Sequence, residues 1–367
     1  MERLVFVTQK VDPQHPALAA TVRKVAALAA LVDEVVVLTD GAASGALPAN
    51  CRVIEFGAAT RAGRGARYTV ALARELARSP RPLAVVAHMC PIYAVLAAPL
   101  ARPRGVPLLL WYTHWRATGL LRLAETLVND AVSVDARTFP FASPKVTAIG
   151  HGIEVEQFPL TARPEPGAAL QVLQIGRTSS AKGIAEVLRG VAEARRRGLA
   201  VRYVFHGPSL TDAERAHRVE LAALVVELGL GAGPEPLALI GEAVPRSEVP
   251  RLLAACDVLV NNMRDGATDK AVFEAAAAGV PVLASNPAFD SLLEPEWRFA
   301  RGDAGDLATK LAAVAALSRD ERAAIGLRLR ERVIASHSVA SWAEGILRVA
   351  RTRRGTLRAA APGEDRQ

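Results

Sequence analysis

Residues 256–285 read CDVLVNNMRDGATDKAVFEAAAAGVPVLAS, two short apolar segments separated by a polar loop and an Ala-rich segment. We expect a strand at residues 257–260, a loop at 261–269, a helix at 270–278 and a second strand from Pro281. In open α/β sheets, anionic ligands bind where a strand ends at a polar loop and a helix begins. The stretch therefore predicts an α/β fold with a ligand site at this loop.

One carboxylate inside the predicted helix needs a partner. Glu274 lies about one turn past the helix start, near Asp269 and Lys270, and most of its neighbours are alanine. A carboxylate that faces a sheet needs water or a hydrogen-bond partner. A sugar hydroxyl would supply one, so Glu274 is a candidate ligand-binding residue.

The same alternation of apolar strands and helical segments covers most of the chain. Near-continuous apolar strands separated by helices imply mainly parallel sheets that are covered on both faces. The strands are predicted at residues 4–8, 35–39, 52–56, 83–87, 108–112, 131–134 and 146–149, and again at 170–175, 201–206, 237–240, 257–260 and 281–284. The main helices are predicted at residues 17–31, 66–78, 92–102, 120–129, 181–197, 212–228, 247–255 and 270–278, with further ones at 304–317, 319–336 and 341–353.

The segment PLTARPEPG at residues 159–167 interrupts this alternation with three prolines and a glycine. Such a segment is typical of a domain boundary. Two Rossmann-like halves joined there would face each other across a cleft at the carboxyl ends of their sheets. The predicted organisation is a first domain at 1–158, a linker at 159–168, a second domain at 169–338, a helix at 339–354 that packs back on the first domain, and a disordered tail at 355–367.

The composition is that of a soluble globular protein of two domains, with 367 residues, net charge +8 and 51% hydrophobic residues. Three cysteines, Cys51, Cys90 and Cys256, are odd in number and too far apart for a metal knuckle. They favour a reducing cytosol. The N-terminus MERLVFVTQK enters a strand without the layout of a signal peptide, so we expect a cytoplasmic protein.

Residues 83–101 carry no charged side chain over roughly the length of a membrane span. However, His88, Pro91 and Pro99 interrupt this run. We therefore predict a buried strand at 83–87, a loop at 88–91 and a helix after it.

Residues 174–188, QIGRTSSAKGIAEVL, combine a strand end, a glycine, a hydroxyl-rich turn and the start of a helix. Ser179 and Ser180 can cap that helix. Arg177 and Lys182 would then converge on the place where a phosphate would bind. The alternative is that both are solvated loop charges.

At this point the sequence resembles a known family. The pattern G-R-x(4)-K-G at residues 176–183, the later DVLVN, and the EAAAAGVPVLAS stretch are similar to the nucleotide-sugar domain of the family 4 retaining glycosyltransferases of GT-B fold. The segment HGIEVEQF resembles the domain junction of that family, and TQKVDP, HMCPIY and WYTHW resemble one branch of it. The resemblance implies a GT-B architecture and the transfer of a sugar from a nucleoside diphosphate sugar to an acceptor.

The resemblance also implies roles for individual residues. Arg177 and Lys182 match the pair that binds the donor diphosphate and stabilises the leaving nucleotide. Glu274 matches the second glutamate of an E-x(7)-E motif, which binds the ribose, but Gly266 stands where the first glutamate is expected. Asp265 or Asp269 could substitute for it, although turn and cap chemistry explains these two equally well.

The same resemblance implies the remaining donor contacts. Gly176 and Gly183 belong to the phosphate loop, the segment from Gly241 to Val244 matches the place where the backbone reads the base, and Lys270 adds a phosphate contact. Backbone amides of the polar loop would bind sugar or phosphate oxygens, with Gly266, Ala267 and Thr268 as the candidates.

Five residues of the first half are also candidates, one for catalysis and four for acceptor binding. His114 matches a histidine near the donor sugar, so the resemblance adds it to the catalytic residues, although a structural role is the usual one for a single histidine at a strand end. The acceptor-binding candidates are Gln9, Lys10, Asp12 and His88.

No D-x-D, H-E-x-x-H or C-x-x-C motif is present, so the sequence predicts no metal site and no cofactor. Expected partners are a nucleotide-sugar donor and a small-molecule, glycan or lipid acceptor. Arginines concentrate at residues 61–81, either as a solvated helix face or as a surface for peripheral contact with an anionic membrane. Few aromatic residues are interleaved with them, which argues against nucleic acid.

Two other functions fit the same sequence. The missing first glutamate suggests a non-catalytic module that binds a sugar or nucleotide. A GT-B-fold epimerase or phosphorylase is the alternative within the enzymes.

Overall fold

The computed structural model describes residues 1–15, 18–43, 45–160, 165, 167–231 and 236–360. It divides the chain into two compact units. The first unit consists of Met1–Glu154 and the chain from Ser336 onward, and the second unit is Val155–Ala335.

The chain leaves and re-enters the first unit at adjacent positions. The backbone N–H groups of Gly152 and Ile153 both donate to the His337 carbonyl, at 3.0 and 2.7 Å, and Ile153 pairs with Ser338. These hydrogen bonds place the division before the proline-rich segment, whereas the sequence prediction placed it after residue 158. Residues 161–164 and 166 of the predicted linker lie outside the described residues.

Among the described residues, the first unit contains a seven-stranded parallel sheet in the order β3-β2-β1-β4-β5-β6-β7. Strands β1 and β4 are buried along their whole length, which explains why they read as unbroken apolar runs. The strands are β1 Arg3–Thr8, β2 Glu34–Thr39, β3 Cys51–Glu55, β4 Val85–His88, β5 Leu108–Trp111, β6 Asp130–Ser133 and β7 Val146–Ala148. They confirm the seven strands predicted for this part of the chain.

The helices of the first unit show where the sequence prediction was wrong at helix ends. Helix α2 begins at Arg61, before the predicted start at 66, because the Thr60 hydroxyl caps it by accepting from the Gly63 N–H. The last helix continues to Ala360, so the tail predicted from 355 is helical over its first residues, and residues 361–367 lie outside the described residues. The helices are α1 Ala20–Ala29, α2 Arg61–Ala77, α3 Pro91–Ala101, α4 Gly119–Leu127 and α11 Val339–Ala360.

The apolar run at 83–101 forms strand β4 and helix α3, as predicted, with a turn between them. Within the described part of the chain, no helix is both long and apolar enough to cross a membrane.

The second unit contains, in its described residues, a five-stranded parallel sheet in the order β10-β9-β8-β11-β12. The strands are β8 Leu170–Ile175, β9 Val201–His206, β10 Ala238–Gly241, β11 Val258–Asn261 and β12 Val282–Ala284. The helices are α5 Ile184–Arg196, α6 Asp212–Glu227, α7 Val249–Ala255, α8 Lys270–Ala277, α9 Ala304–Ala315 and α10 Arg319–His337, and the last two residues of α10 belong to the first unit. The predicted parallel α/β fold is therefore confirmed.

Two segments of this unit that were each predicted as one helix consist of a 3-10 turn followed by an α-helix. The segment predicted as a helix at 181–197 is a 3-10 turn at Ser180–Lys182 followed by α5, and the segment at 247–255 is a 3-10 turn at Arg246–Glu248 followed by α7. The first division follows from Gly183, whose φ of +58° is left-handed and interrupts the helix.

A cluster of aromatic rings anchors helix α11 to the sheet of the first unit. Trp342 contacts Phe6, His88 and Trp111 at ring-centroid distances of 6.4, 6.3 and 5.7 Å. The ammonium of Lys24 lies over two of these rings, 4.6 Å from Trp111 and 4.8 Å from Trp342. This geometry is typical of a cation–π interaction and attaches α1 to the same cluster.

Two buried histidines in the first unit predict acid sensitivity. Burial lowers the pKa of His337 to about 4, and burial together with the Lys24 charge lowers the pKa of His88 well below its ordinary 6.5. Both rings are neutral in the fold, whereas the unfolded chain takes up protons near 6.5. The unfolded state therefore binds more protons as the pH falls below about 6.5, and the free energy of unfolding decreases in that range.

We predict that His337→Gln reduces this acid sensitivity. Between about pH 7 and about pH 5, the variant should lose about 2 kcal/mol less unfolding free energy than the wild type, because it lacks one such proton uptake. Urea unfolding at the two pH values, followed by tryptophan fluorescence, measures the difference. An equal loss in both proteins would contradict the prediction.

Candidate functional site

The candidate site of the second unit lies where its sheet reverses strand order. From β8 the chain builds β9 and β10 on one side and then β11 and β12 on the other. The loops after β8 and β11 therefore lie next to each other at the carboxyl edge, which is the usual ligand site of an open α/β sheet. They are joined directly, because the Arg264 N–H donates to the Ala181 carbonyl at 2.9 Å.

The loop after β8 is shaped by two glycines. The Gly183 carbonyl accepts a hydrogen bond from Asn262 Nδ2 at 3.1 Å, and a Cβ at Gly183 would lie 2.2 Å from that nitrogen. A Cβ at Gly176 would lie 2.7 Å from Lys182 Cε, so the lysine side chain packs against this glycine. Ser179 caps the 3-10 turn by accepting from the Ala181 N–H, and it does not cap α5 as the sequence suggested.

Lys182 joins the two loops through an ion pair with Asp269. The side chains are 12% and 9% exposed. Asp269 Oδ2 also accepts from Asn261 Nδ2 at 2.8 Å, and Oδ1 accepts from the Ala271 N–H, which makes Asp269 the N-cap of α8. Both carboxylate oxygens are thus in use, so the cap role that the sequence left open is present.

Arg177 is paired with a different carboxylate. Its Nη2 lies 2.7 Å from Glu214 Oε1, and Glu214 Oε2 accepts from the Leu210 N–H at 2.7 Å. The arginine is 52% exposed, whereas Glu214 is buried. An ion pair with one exposed partner is weak and readily exchanged.

Glu274 is buried and has two cationic partners. Its Oε1 lies 2.9 Å from Arg246 Nη1 and 3.4 Å from Lys270 Nζ. The Arg246 guanidinium also lies 5.7 Å from the centroid of the Phe158 ring. The partner that the sequence required for this carboxylate is therefore supplied by arginine and lysine side chains.

Asn286 contributes two hydrogen bonds to the polar loop after β11. Asn286 Nδ2 donates to the carbonyls of Arg264 and Ala267, at 2.8 and 2.6 Å. Asp265 is exposed and accepts from the Gly266 N–H at 2.7 Å, and Gly266 is left-handed, with a φ of +78°. The predicted turn chemistry of Asp265 is present.

Arg218, on helix α6, connects the loops after β8, β9 and β10. Its guanidinium donates to the Gly207 carbonyl, to the Gly241 carbonyl at 3.0 Å and to Thr178 Oγ1 at 3.0 Å. Gly241, a predicted base contact, is therefore at the same edge as the phosphate loop. Val244 follows it and is partly buried.

Two of the five candidate residues of the first unit have structural contacts. His88 is 5% exposed among Phe6, Trp111 and Trp342, so its predicted acceptor contact is replaced by core packing. Asp12 accepts from the Gln14 N–H at 2.8 Å, which is a turn contact.

Lys10, Gln9 and His114 lie at the surface. The Lys10 side chain lies beside Gly41, and Gln9 lines a cavity described below. His114 Nδ1 accepts from the Arg116 N–H at 3.1 Å. Burial, followed by the Arg116 charge, lowers the pKa of His114, which favours the neutral ring. Because Nδ1 accepts this hydrogen bond, the neutral ring carries its proton on Nε2.

The sequence did not indicate several residues that shape the site. Arg218, Glu214 and Arg246 reach it from other helices and turns, and no local spacing reveals such long-range partners. The doublet Asn261–Asn262 at the strand end was a visible signal, since polar residues there point to the loop edge. Among the described residues, no group of three or more His, Cys, Asp or Glu side chains is arranged to hold a metal ion.

With the fold and the site described, comparison with known proteins shows which fold the two units share and which proteins the chain resembles. Both units have the parallel α/β fold of GT-B glycosyltransferases. The model of a family described as "Glycosyl transferase-like" matches residues 189–348. This region includes helices α6 and α8 and the loop after β11.

Individual proteins show the same similarity. WcaL of Escherichia coli (strain K12), named as a colanic acid biosynthesis glycosyltransferase, is 26% identical over 199 residues, which cover 52% of this chain and 47% of WcaL. The match thus spans about half the length of that relative. Sucrose-phosphate synthase from Thermosynechococcus elongatus is 16% identical with a TM-score of 0.69, covering 97% of this chain and 100% of that one. The Anabaena protein HepE, solved in complex with UDP, is 16% identical with a TM-score of 0.72, covering 96% and 100%.

The contact of Gly183 with Asn262 predicts that a side chain at position 183 lowers the free energy of unfolding. Gly183→Ala must displace Asn262 and also adopt a left-handed φ. Gly229→Ala is the matched control, since Gly229 has a φ of +69° and open space around its missing Cβ. We expect about 1–2 kcal/mol of destabilisation for the control, and at least about 1 kcal/mol more for Gly183→Ala. Urea unfolding measures both, and equal losses would contradict the packing described here.

Proposed function

We propose that this protein is a retaining glycosyltransferase of family 4, which transfers a sugar from a nucleoside diphosphate sugar to an acceptor hydroxyl. The observation that carries the proposal is the meeting of Lys182 with the loop after β11, where the second sheet reverses its strand order. The matched family description, the name of WcaL and the UDP bound to HepE support it.

The donor diphosphate would bind at the loop after β8 by exchange of ion pairs. Arg177 and Lys182 are each held by a carboxylate, Glu214 and Asp269. Because Arg177 is half exposed, its guanidinium can turn from Glu214 to phosphate oxygens, while Glu214 keeps the hydrogen bond from the Leu210 N–H. Both cations would then stabilise the negative charge that develops on the leaving nucleotide.

Glu274 would bind the ribose of the nucleotide. It is buried and held in place by Arg246 and Lys270, so a ribose hydroxyl would donate to an oriented carboxylate. Because both oxygens of Asp269 are already hydrogen-bonded, Asp265 is the better candidate to replace the missing first glutamate at the donor sugar. Gly266, Ala267 and Thr268 would supply backbone contacts there, and Lys270 a phosphate contact.

Retention and independence from metal ions are part of the same proposal. Fixed cations would neutralise the diphosphate where other transferases use a bound metal. His114 would contact the donor sugar through its Nε2–H. The acceptor would be a small molecule, a glycan or a lipid, bound by the first unit.

We predict that removing either phosphate-binding cation weakens donor binding. Arg177→Ala and Lys182→Ala should each lose a charge-assisted contact worth roughly 1.5–3 kcal/mol, or about ten- to a hundredfold in affinity for UDP, GDP, ADP or TDP. Calorimetry in the presence of EDTA measures the affinities and should find them independent of the chelator.

Two further variants make this test specific. Arg189→Ala, an exposed cation on α5, is the matched control and should bind normally. Lys182→Gln retains a hydrogen-bond donor for Asp269, so a loss shared with Lys182→Ala is not due to the loss of that hydrogen bond, and urea unfolding of both variants shows whether they are folded. Near-normal binding by both Arg177→Ala and Lys182→Ala would show that the diphosphate does not bind at the loop after β8.

We predict that Glu274→Gln separates ribose binding from phosphate binding. Affinity for the nucleoside diphosphate should fall about tenfold, because a charge-assisted hydrogen bond to ribose is lost. Affinity for inorganic pyrophosphate, which has no ribose, should stay unchanged. Parallel titrations with the two ligands measure this, and an equal loss for both would assign Glu274 a structural role, in holding Arg246 and Lys270, instead.

The rival functions make different predictions in the same experiments. A non-catalytic binding module would bind the donor without turnover in the presence of acceptors. An epimerase or phosphorylase would release a different product. Cytoplasmic location stays a prediction, and so does peripheral contact of residues 61–81 with anionic membrane, which sedimentation with anionic vesicles would test.

A further inference from the structure

The first unit contains a cavity of about 860 Å³ that no residue of the donor site lines. It lies at the carboxyl edge of the sheet, where β1 and β4 diverge toward opposite sides. Gln9, directly after β1, and Met89, directly after β4, both line it. The cavity is thus at the point of strand-order reversal, which is the preferred ligand site of an open α/β sheet.

The wall of this cavity is mostly apolar. The first turns of α2 and α3 and the start of α4 supply it, with Ala62, Ala66, Ile92, Leu96 and Leu120 among the lining residues. Ile92 and Leu120 are 42% and 41% exposed, so their side chains are accessible to a ligand in the cavity. A free sugar would bury hydroxyl groups against this wall without partners, at a cost that disfavours it.

The polar rim of the cavity carries positive charge. Arg64 is neutralised by Asp40 at 2.8 Å and is hydrogen-bonded to the Tyr93 hydroxyl. Arg61 is exposed and makes no ion pair with a residue that the structure describes. Burial raises the pKa of the Cys90 thiol to about 12, so no thiolate at the cavity repels an anion.

We propose that this cavity binds the apolar portion of an amphiphilic acceptor whose anionic group, a phosphate, lies at Arg61. This inference deepens the proposed function and rests on it, because it names the chemical class of the acceptor. The apolar wall would bind the apolar portion of the acceptor, and the exposed guanidinium of Arg61 would bind its phosphate.

The test is equilibrium binding of four probes to the full chain. The probes are n-decyl phosphate below its micelle-forming concentration, 1-decanol, inorganic phosphate and maltose. We expect n-decyl phosphate to bind at least about tenfold more tightly than each of the other three, since only it engages both wall and rim. Maltose or inorganic phosphate binding as tightly as n-decyl phosphate would overturn the inference.

Variants of exposed residues locate the binding without disturbing the core. Ile92→Gln and Leu120→Gln should each weaken n-decyl phosphate binding about five- to tenfold. Leu123→Gln is the matched control, because Leu123 lies on the same helix as Leu120, is 48% exposed and does not line the cavity. Arg61→Gln should weaken binding of n-decyl phosphate but not of 1-decanol. Unchanged binding in both wall variants would also overturn the inference.

Failure of this inference and failure of the proposed function are distinguishable on the same sample. Diphosphate binding that depends on Lys182, without binding of n-decyl phosphate in the cavity, overturns the acceptor class alone. Cavity binding of n-decyl phosphate without any diphosphate binding overturns the donor chemistry, while the cavity remains an amphiphile site.

Discussion

The ammonium of Lys182 meets the carboxylate of Asp269 where the second sheet reverses its strand order, and the candidate donor site depends on this pair. Both side chains are largely buried, so removing one charge leaves the other without compensation. Asp269 also caps α8, which carries Glu274. The pair therefore fixes the loop after β8 and the start of α8 relative to each other. It also keeps a cation in place that a diphosphate can later engage.

Each unit places its chemistry at the corresponding point of its own sheet. In the second unit, the loops after β8 and β11 bring cations and carboxylates together. In the first unit, the segments after β1 and β4 border a cavity with an apolar wall. In a parallel sheet, the two loops at the point of strand-order reversal run to opposite sides and leave a crevice between them. The polar crevice suits a nucleotide and the apolar one suits an amphiphile.

The sequence predicted the fold well because strands buried on both faces appear as unbroken apolar runs. It also placed the loops with Arg177, Lys182 and Asp269 at strand ends. It could not show that Glu214 would hold Arg177, because that carboxylate comes from another helix and depends on tertiary packing. The sequence predicted one helix over residues 181–197, since periodicity does not reveal the left-handed φ of Gly183. The sequence suggested an acceptor contact for His88, but the side chain packs in the core. Its position at a strand end does not show whether a side chain is open to ligand or covered by another element.

A crystal structure of the protein with a bound nucleoside diphosphate, chosen from UDP, GDP, ADP and TDP by affinity, tests the central claim most directly. The account predicts phosphate oxygens within hydrogen-bond distance of Lys182 Nζ and of Arg177, with Arg177 released from Glu214. It also predicts a ribose hydroxyl on the Glu274 carboxylate. A nucleotide bound elsewhere, or one bound here while Arg177 stays on Glu214 and Lys182 contacts only Asp269, would contradict it.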